Sequence, residues 1–525
     1  MKEGFRQSMA WLHTWTGLLF GWLLFAIFFT GTLSYFKYEI SHWMQPEVPA
    51  RALNAEASLG LAQRYLEQHG QGAQRWFISL PDSREPALSV AWQAPGKPGE
   101  RGAFTEKLLD PATGSELHAR DTRGGEFFYR FHFQLQMPYP WGRWLSTLAA
   151  MVMFVALVSG IIIHKKIFKD FFTFRPRKGQ RTWLDGHNAL GVLVLPFHLM
   201  ITYSSLVIFM SMVMPASVLV AYKGDNTAFF QDLQPAARTL PAAGEPAALA
   251  PLEPMLRQAL EHWPQGRVQR VMVNNPGDLN ATVQVMRHGA DQVVRNFGRA
   301  VSFNGVTGQP LQESPEQSLP KVIGGSFYGL HMGLFAGPVL RWLYFICGLA
   351  STAMIGTGLV IWLGKRQLKH AKSPVMPFEL RLVEVLNIAS MSGLVLAVAA
   401  FFWANRLLSA DFAERADWEV NSFFIAWGLS LLHALARRGR QAWVEQLGLA
   451  ALLLASIPLL DALTGANLAD GFLSRGDWTR AGFDLACLAS GLFLAWAARK
   501  MQRAAQAPAT TKPRGRARVA DTEVD

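Results

Sequence analysis

Apolar residues along this chain are concentrated in eight separate runs, each close to the length that crosses a lipid bilayer. A membrane helix needs about 20 predominantly apolar residues. The runs predict spans at 14–37, 143–164, 187–213, 339–363, 381–403, 421–436, 443–461 and 480–498. The first run is longer than the apolar region of a signal peptide and ends without a small-residue cleavage site, so we expect it to be retained. The pattern therefore predicts a mainly α, polytopic membrane protein with about eight transmembrane helices.

Two long segments between the runs, 41–140 and 214–335, have the patterns of small α+β modules. In the first, the sequence predicts a helix at 59–69 and strands at 76–80, 87–92 and 104–109. In the second, it predicts a helix at 252–263 and strands at 268–273, 281–286 and 293–302. Each module has a Thr-Gly turn, ending at Gly114 or Gly308, whose glycine can take the positive φ that a hairpin needs.

The sequence also repeats itself. Phe128-Tyr-Arg-Phe-His132 recurs as Phe327-Tyr-Gly-Leu-His331, and each copy is followed by an Arg-Trp pair and a helix with a late glycine, Gly160 or Gly358. His13-Thr-Trp-Thr-Gly17 likewise matches His187-Asn-Ala-Leu-Gly191. Residues 1–166 and 184–366 are therefore predicted to be two copies of a helix–module–helix unit.

These patterns divide the chain into nine segments. They are a first span (1–40), module 1 (41–140), a second span (141–166), a basic loop (167–186), a third span (187–213), module 2 (214–335), a fourth span (336–366), a C-terminal four-helix unit (380–500) and a disordered tail (501–525). The C-terminal unit belongs to neither copy of the repeat. We expect few buried polar groups in it beyond Glu384, Asn387 and His433. A scaffold is its simplest role, and an oligomer interface and partner docking stay open.

Charge gives the orientation. The formal net charge is +12, but the basic residues lie almost entirely beside the apolar runs, which argues against a nucleic-acid partner and for the lipid bilayer. Every second connector is basic, at 164–183, 364–372, 437–440 and 499–503, while the opposite short loops are balanced or acidic. The positive-inside rule then places both termini in the cytoplasm and both modules outside, in a periplasm. The predicted location is a bacterial inner membrane.

Six histidines lie at or near the ends of the first four spans, where ionisable side chains are rare unless they have a use. His13, His164 and His187 lie toward the cytoplasmic side, and His132, His198 and His331 toward the outer side. On a straight helix, His187 and His198 lie within about 20° of one face and about 16 Å apart in height. One helix would thus direct two imidazoles the same way, which suits two stacked haem groups whose iron binds imidazole.

Each haem needs a second axial ligand from a facing helix. The candidates are His13 and His164 at the inner level, and His331 and His132 at the outer level. The repeat favours His13 with His187 and leaves open which residue pairs with His198. A lone interfacial histidine can instead be a hydrogen-bonding residue, and for His164 both interpretations stand.

Other residues near the spans have two interpretations each. Arg143 and Arg341, at the outer interface, suit haem propionates or lipid phosphates equally well. Gly17, Gly21 and Gly31 in the first span could admit a flat macrocycle or only allow close helix packing. No catalytic residue can be named from these patterns.

The order of these motifs resembles the PepSY-associated transmembrane family, which includes iron-regulated inner-membrane proteins and ferric-siderophore reductases. The resemblance covers about residues 8–370. Its motifs are Leu12-His-Thr-Trp-Thr-Gly17 with Thr30-Gly31, the Phe-Tyr-x-x-His segments ending at His132 and His331, the two Thr-Gly turns, Trp183-Leu-Asp-Gly-His-Asn-Ala-Leu-Gly191 and Leu195-Pro-Phe-His-Leu-Met200. The C-terminal unit at 380–500 departs from the shorter members of the family.

The resemblance implies two PepSY-like modules in the periplasm and a four-helix core with two haem b groups. It implies that the core reduces periplasmic ferric siderophore, which releases iron because oxygen donors hold ferrous iron far less tightly. The chain has no dinucleotide fingerprint or P-loop. A separate cytoplasmic reductase or quinol must therefore supply the electrons. Two other functions stay open, a non-enzymatic PepSY-type sensor or binding protein, and a siderophore or metal permease with histidines as transit ligands.

Overall fold

Long apolar helices make up most of the molecule. The computed structural model describes residues 3–49, 54–97, 102–164, 174–176, 178–233, 240–295, 299–313, 318–437, 439–464 and 476–506. In the first two thirds of the chain its helices are α1 (Glu3–Ser34), α2 (Lys37–Met44), α3 (Ala55–His69), α4 (Glu126–Gln134), α5 (Trp141–Ile163), α6 (Gln180–Leu193), α7 (Leu195–Ile208), α8 (Met210–Val213), α9 (Ala216–Tyr222), α10 (Asn226–Leu233), α11 (Leu252–Glu261) and α12 (Leu319–Met332). The later helices are α13 (Pro338–Lys369), α14 (Phe378–Leu407), α15 (Arg415–Ala436), α16 (Gly439–Ala455), α17 (Ile457–Thr464) and α18 (Trp478–Gln506).

Within the described residues, six helices are long and apolar enough to cross a membrane, namely α1, α5, α13, α14, α15 and α18. Two bent pairs, α6 with α7 and α16 with α17, also pass as spans when each pair is counted as one. The chain is thus a multi-pass membrane protein with six to eight spans, as the apolar runs predicted.

The third predicted span differs from the prediction because it is not one straight helix. The axis turns by 67° between α6 and α7. Pro196 lies in the first turn of α7. It has no amide hydrogen to continue the hydrogen-bond ladder from α6, so it starts a new helix instead. The prediction that His187 and His198 share one helix face was therefore wrong, since it assumed a straight axis.

Both inserts contribute to a single eight-stranded sheet. Its strands are β1 (Arg75–Ser79), β2 (Leu88–Gln93), β3 (Phe104–Leu109), β4 (Glu116–Leu117), β5 (Val268–Asn274), β6 (Thr282–Arg287), β7 (Ala300–Asn304) and β8 (Pro310–Glu313). The order is β4-β3-β2-β1-β5-β6-β7-β8, and every pair is antiparallel. The join is β1 with β5, where Phe77 lies opposite Met272. The expectation of two separate modules is thereby corrected to one shared sheet.

One shared core explains this fusion. Alternate residues of the two central strands, Ile78 and Val271 among them, are fully buried and belong to the same apolar cluster. The helices α3 and α11 pack beside each other and contribute Leu59 and Leu256 to that cluster. Each insert alone would leave one strand, β1 or β5, at an unpaired sheet edge. Pairing β1 with β5 satisfies the backbone hydrogen-bonding groups of both edges. The predicted strand at 293–302 is also corrected, since β7 begins at Ala300 and residues 296–298 lie outside the described part.

Helix α1 is the central element of the bundle. It packs against α4, α5, α13 and α14, while α6 packs on α13, and α7 packs on α5 and α12. We call the end of the bundle that carries the sheet the sheet side, and the opposite end the far side. The last turn of α1 continues through α2 toward the sheet, so α1 runs from the far side to the sheet side.

The C-terminal unit carries more buried polar groups than expected. The side chains of Arg406 and Arg415 are 0% and 1% exposed, and they pair with Asp461 and Glu419, respectively. Arg406 also donates to the backbone carbonyl of Trp43 in α2 (2.7 Å). The prediction of few buried polar groups in this unit was therefore wrong, because charged residues find partners from distant segments once the helices pack, as Arg406 does in Asp461 and in the carbonyl of Trp43.

Two of the predicted segments lie partly outside the described residues. Helix α18 continues to Gln506, so the predicted tail is helical at its start, and residues 507–525 lie outside the described part. Of the predicted basic loop at 167–186, residues 167–173 and 177 lie outside it as well. The last residues of that loop, from Gln180, already belong to α6.

Candidate cofactor site

Four of the six candidate histidines form two facing pairs. The rings of His13 and His187 have centroids 6.4 Å apart and lie toward the far side. The rings of His132 and His331 have centroids 6.2 Å apart and lie toward the sheet side. Two imidazoles that bind one metal from opposite sides at about 2 Å have centroids about 6 Å apart. Both separations therefore fit a single metal held between each pair of rings.

A hydrogen bond anchors the Nδ1 atom of every one of these rings. His13 donates to the carbonyl of Ala156 (2.8 Å) and His132 to the carbonyl of Ile27 (2.7 Å). In the same way, His187 donates to the carbonyl of Met354 (2.9 Å). Because a carbonyl only accepts, Nδ1 carries the hydrogen in these three rings, and Nε2 keeps its lone pair. Metal-binding histidines have this arrangement, which fixes the tautomer and the ring orientation.

The fourth ring, His331, is anchored by a side chain. Its Nδ1 atom lies 2.9 Å from the Oγ atom of Ser204 in α7. Ser204 also donates to the carbonyl of Met200 (2.6 Å), which leaves its oxygen free to accept from the imidazole. Among the residues that the structure describes, Nε2 of none of the four rings has a hydrogen-bond partner. All four rings thus offer the same unused atom.

Glycines on the facing helices make room for the rings. A Cβ atom built on Gly31 would lie 2.5 Å from Nδ1 of His132. At the far side, a Cβ on Gly160 would lie 3.2 Å from Cε1 of His13, and one on Gly358 would lie 3.3 Å from Cε1 of His187. Gly160 and Gly358 are the two late glycines of the repeated motif, and they serve the two rings of one pair. The repeat singled out these two glycines in the sequence, but only their contacts with the rings show why glycine is needed there.

The sheet-side pair opens into a cavity of about 590 Å³. This volume is within the range of pockets that bury a small organic ligand. Its wall is mostly apolar, and both His132 and His331 belong to it, together with polar side chains of which Lys37, Tyr129, Arg143 and Tyr328 matter below. The cavity has the size and the apolar lining that a cofactor with two imidazole ligands requires.

The two candidate arginines have different surroundings. Arg143 lines the cavity, with its guanidinium 5.2 Å from the ring centroid of Phe133 and 5.1 Å from that of Tyr139. Arg341 instead pairs with Glu39 at 2.5 Å and donates to the carbonyl of Ala336 (3.1 Å). Arg143 is therefore the arginine of the two that can meet an anionic group in the cavity.

His198 and His164 belong to neither facing pair, although His198 lies close enough to His187 to interact with it electrostatically. His198 is completely buried, and neither of its ring nitrogens has a hydrogen-bond partner within the described chain. His164 follows the last residue of α5, and its Nε2 atom is likewise buried without a partner there. In the part of the chain that the structure covers, no ring contact joins either residue to another histidine.

The two pairs lie at different depths of the bundle. His13 belongs to α1, and so does Gly31, the glycine in contact with His132. Eighteen residues of helix separate these positions, which corresponds to about 27 Å of rise. A multi-pass membrane protein with two facing histidine pairs, one near each end of its helix bundle, is the class that the fold and the site define.

The particular family follows from comparison with known proteins. The model of the PepSY-associated TM region family matches residues 10–365, which include both pairs, and the chain belongs to this family. The chain is also similar to the uncharacterized protein PA4219 of Pseudomonas aeruginosa. That protein is 26% identical over an alignment of 406 residues, which covers 74% of this chain and 98% of the relative.

Proposed function

We propose that this chain is a di-haem b reductase of the bacterial inner membrane, which carries electrons from the cytoplasmic side to ferric siderophore in the periplasm and releases ferrous iron. One observation carries the proposal. Two pairs of imidazoles face each other at about the separation that one iron requires, with Nδ1 anchored and Nε2 unused in every ring.

The residues have separate roles in this proposal. His13 and His187 would hold one haem b through Nε2, and His132 and His331 the other. A haem b, when bound, supplies an iron centre that takes up and gives up one electron at a time. Backbone carbonyls hold three of the rings in one tautomer and Ser204 holds the fourth, and the apolar wall of the cavity excludes water. Arg143 offers a positive charge to the propionate groups of the sheet-side haem.

The direction of transfer is supported by the charges of the connectors. In the sequence, basic residues follow the far-side ends of α5, α13, α15 and α18. By the positive-inside rule this end faces the cytoplasm, so the sheet faces the periplasm. The far pair would then accept electrons from a cytoplasmic reductase or from quinol, and the sheet-side pair would serve a ferric chelate outside.

A spectrum with haem counting tests the proposal. Protein purified from haem-replete cells should hold two haems b and give a reversible reduced-minus-oxidised spectrum. Replacing His13 or His187 by alanine should remove one haem, and replacing His132 or His331 should remove the other. His198→Ala is the matched control, since it also deletes a buried imidazole of the bundle and should leave two haems.

Ferric reduction completes the test. Reduced protein in liposomes should convert ferric siderophore outside to ferrous iron, trapped by a ferrous-specific dye. A non-enzymatic sensor or a permease would give no such signal and would be indifferent to loss of the pairs. Purified protein without haem, or two haems in all four alanine variants, would refute the proposal.

A further inference from the structure

Two tyrosines lie one helical turn beyond the sheet-side pair. Tyr129 precedes His132 by three residues in α4, and Tyr328 precedes His331 by three residues in α12. Three residues of helix correspond to about 4.5 Å of rise, so both phenols lie toward the sheet from the imidazoles. Both tyrosines line the cavity. The two tyrosines, here called the tyrosine pair, therefore lie in the cavity wall on the sheet side of the imidazoles.

A cation lies over each tyrosine ring. The Nζ atom of Lys37 is 4.4 Å from the ring centroid of Tyr129, and the guanidinium of Arg295 is 4.0 Å from that of Tyr328. Burial raises the pKa of Tyr129 well above its usual value, so its phenol stays protonated. A protonated phenol is a hydrogen-bond donor. The pair therefore offers a hydrogen-bond donor framed by two positive charges.

Cations outnumber acids around the tyrosine pair, which we call the cavity mouth. Glu126 is shared between Lys37 and Arg130, and Glu39 is shared between Arg84 and Arg341. The charged side chains that lie beside these tyrosines, beside Tyr38, in the cavity wall or in the two shared ion pairs are six cations and four acids. The cations are Lys37, Arg84, Arg130, Arg143, Arg295 and Arg341, and the acids are Glu39, Asp82, Glu85 and Glu126.

We propose that Tyr129, Tyr328, Lys37 and Arg295 form the docking site for the ferric substrate, and that this site prefers anionic, oxygen-rich chelates. The inference rests on the proposed function, because it names the substrate class of the same site. Oxygen donors on the surface of such a chelate accept from the phenol and attract the two cations. The same cations repel a chelate with net positive charge.

The reaction at this site is a single electron transfer. One electron passes from the reduced protein to the ferric ion, which becomes ferrous, and the net charge of the chelate falls by one unit. No bond forms or breaks in this step. The electron comes from the cytoplasmic reductase or quinol that loads the protein, and the phenols and cations only hold the chelate against the cavity mouth.

Stopped-flow re-oxidation of the pre-reduced, full-length protein tests the docking site. The probes are a ferric tris-catecholate, which is anionic, and a ferric trihydroxamate with a pendant ammonium, which is cationic. The variants are Lys37→Gln and the double Tyr129→Phe, Tyr328→Phe. The matched control is Arg257→Gln, which removes one positive charge from an exposed side chain on α11. Haem content and midpoint potentials are measured on every variant.

The docking site predicts a charge-dependent loss. At low salt, Lys37→Gln should slow re-oxidation by the anionic chelate about fivefold to tenfold, and salt should narrow the difference because it screens the attraction of the approaching chelate. Re-oxidation by the cationic chelate should be unchanged or faster. The double phenylalanine variant should slow the anionic chelate at both salt concentrations, since it removes hydrogen bonds. Arg257→Gln should match the wild type.

Two results would overturn the inference, and they differ from failure of the proposed function. Equal slowing of both chelates, or no slowing, in a Lys37→Gln protein with two haems would remove the docking role and leave the reductase intact. Loss of the sheet-side haem, or a shifted potential with unchanged chelate preference, would assign Lys37 to the cofactor instead. Wild-type protein without haem would refute the proposed function itself, and the docking site with it.

Discussion

The glycine that faces the sheet-side pair gives the sharpest prediction. Replacing Gly31 by alanine places a Cβ atom 2.5 Å from Nδ1 and 2.7 Å from Cε1 of His132. Ordinary contact begins at 3.4 Å, so the imidazole must retreat by about 0.9 Å. The same ring is tied to the carbonyl of Ile27, which is four residues before Gly31 in the same helix. The ring therefore cannot retreat without losing its anchor.

The size of this shift decides the outcome. Metal–nitrogen distances in a working site vary by about 0.2 Å, so a shift of about 0.9 Å exceeds what the bond tolerates. Overpacking of this kind costs about 1–3 kcal/mol, which is roughly a tenfold to hundredfold loss in haem affinity. The far pair supplies a graded comparison. Alanine at Gly160 or Gly358 requires retreats of only about 0.2 Å and 0.1 Å from contacts of 3.2 Å and 3.3 Å.

Haem titration of the purified variants measures this effect. Gly31→Ala should lose the sheet-side haem or bind it about tenfold to hundredfold more weakly, with the far haem unchanged. Gly160→Ala and Gly358→Ala should keep two haems. Gly17→Ala is the control in the same helix, because a Cβ there meets nothing within 4 Å. It should keep two haems and gain helix stability, by up to about 1 kcal/mol.

Haem retention in Gly31→Ala, or haem loss in Gly17→Ala, would refute this reasoning. If Gly31→Ala kept both haems with unchanged potentials, the close approach of Gly31 to His132 would have no part in cofactor binding. Loss of haem in Gly17→Ala as well would show that helix packing in general, and not the space beside the ring, controls retention.

Two further predictions concern single contacts. Ser204→Ala removes the group that accepts from His331, and we expect roughly tenfold to hundredfold weaker binding of the sheet-side haem and a higher midpoint potential, because the ligand becomes less electron-rich. A redox titration with unchanged affinity and potential would contradict this. Arg406→Ala leaves Asp461 buried without its cation and should lower the free energy of unfolding in detergent by about 3–5 kcal/mol. Arg123→Ala breaks the pair with Asp417, which is more than half exposed, and should cost at most about 1 kcal/mol. Equal losses of unfolding free energy in the two variants would refute the idea that burial makes the Arg406 pair the more important one.

Features set by local sequence were predictable. The apolar runs gave the multi-pass class because the bilayer demands about 20 apolar residues of any helix, whatever its neighbours are. The predicted helices and most strands of the two inserts also agree with the structure. The reason is that the periodicity of apolar residues and the turn glycines are local signals that extend over only a few residues. The family, suspected from the order of the motifs, is confirmed by the match over residues 10–365.

The candidate site was only partly predictable. Ionisable residues near membrane spans are conspicuous, so all four paired histidines were among the six candidates. The expected partnership of His13 with His187 is present in the structure. His198, however, was given a place beside His187 by a straight-helix calculation, and the 67° bend at Pro196 removed the basis for that placement. The contact of Ser204 with His331 could not be chosen from the sequence, because a serine in a membrane helix usually bonds to its own backbone.

The sequence by itself determined which segments enter the membrane, which end is basic and which histidines lie near the ends of the spans. Only the tertiary structure decided that His132 faces His331, that the two inserts share one sheet, and that Arg406 finds Asp461 and Trp43. The reason is physical. Hydrophobic length and charge act on each segment separately, whereas a ring pair, a strand join or a buried ion pair exists only once distant segments meet.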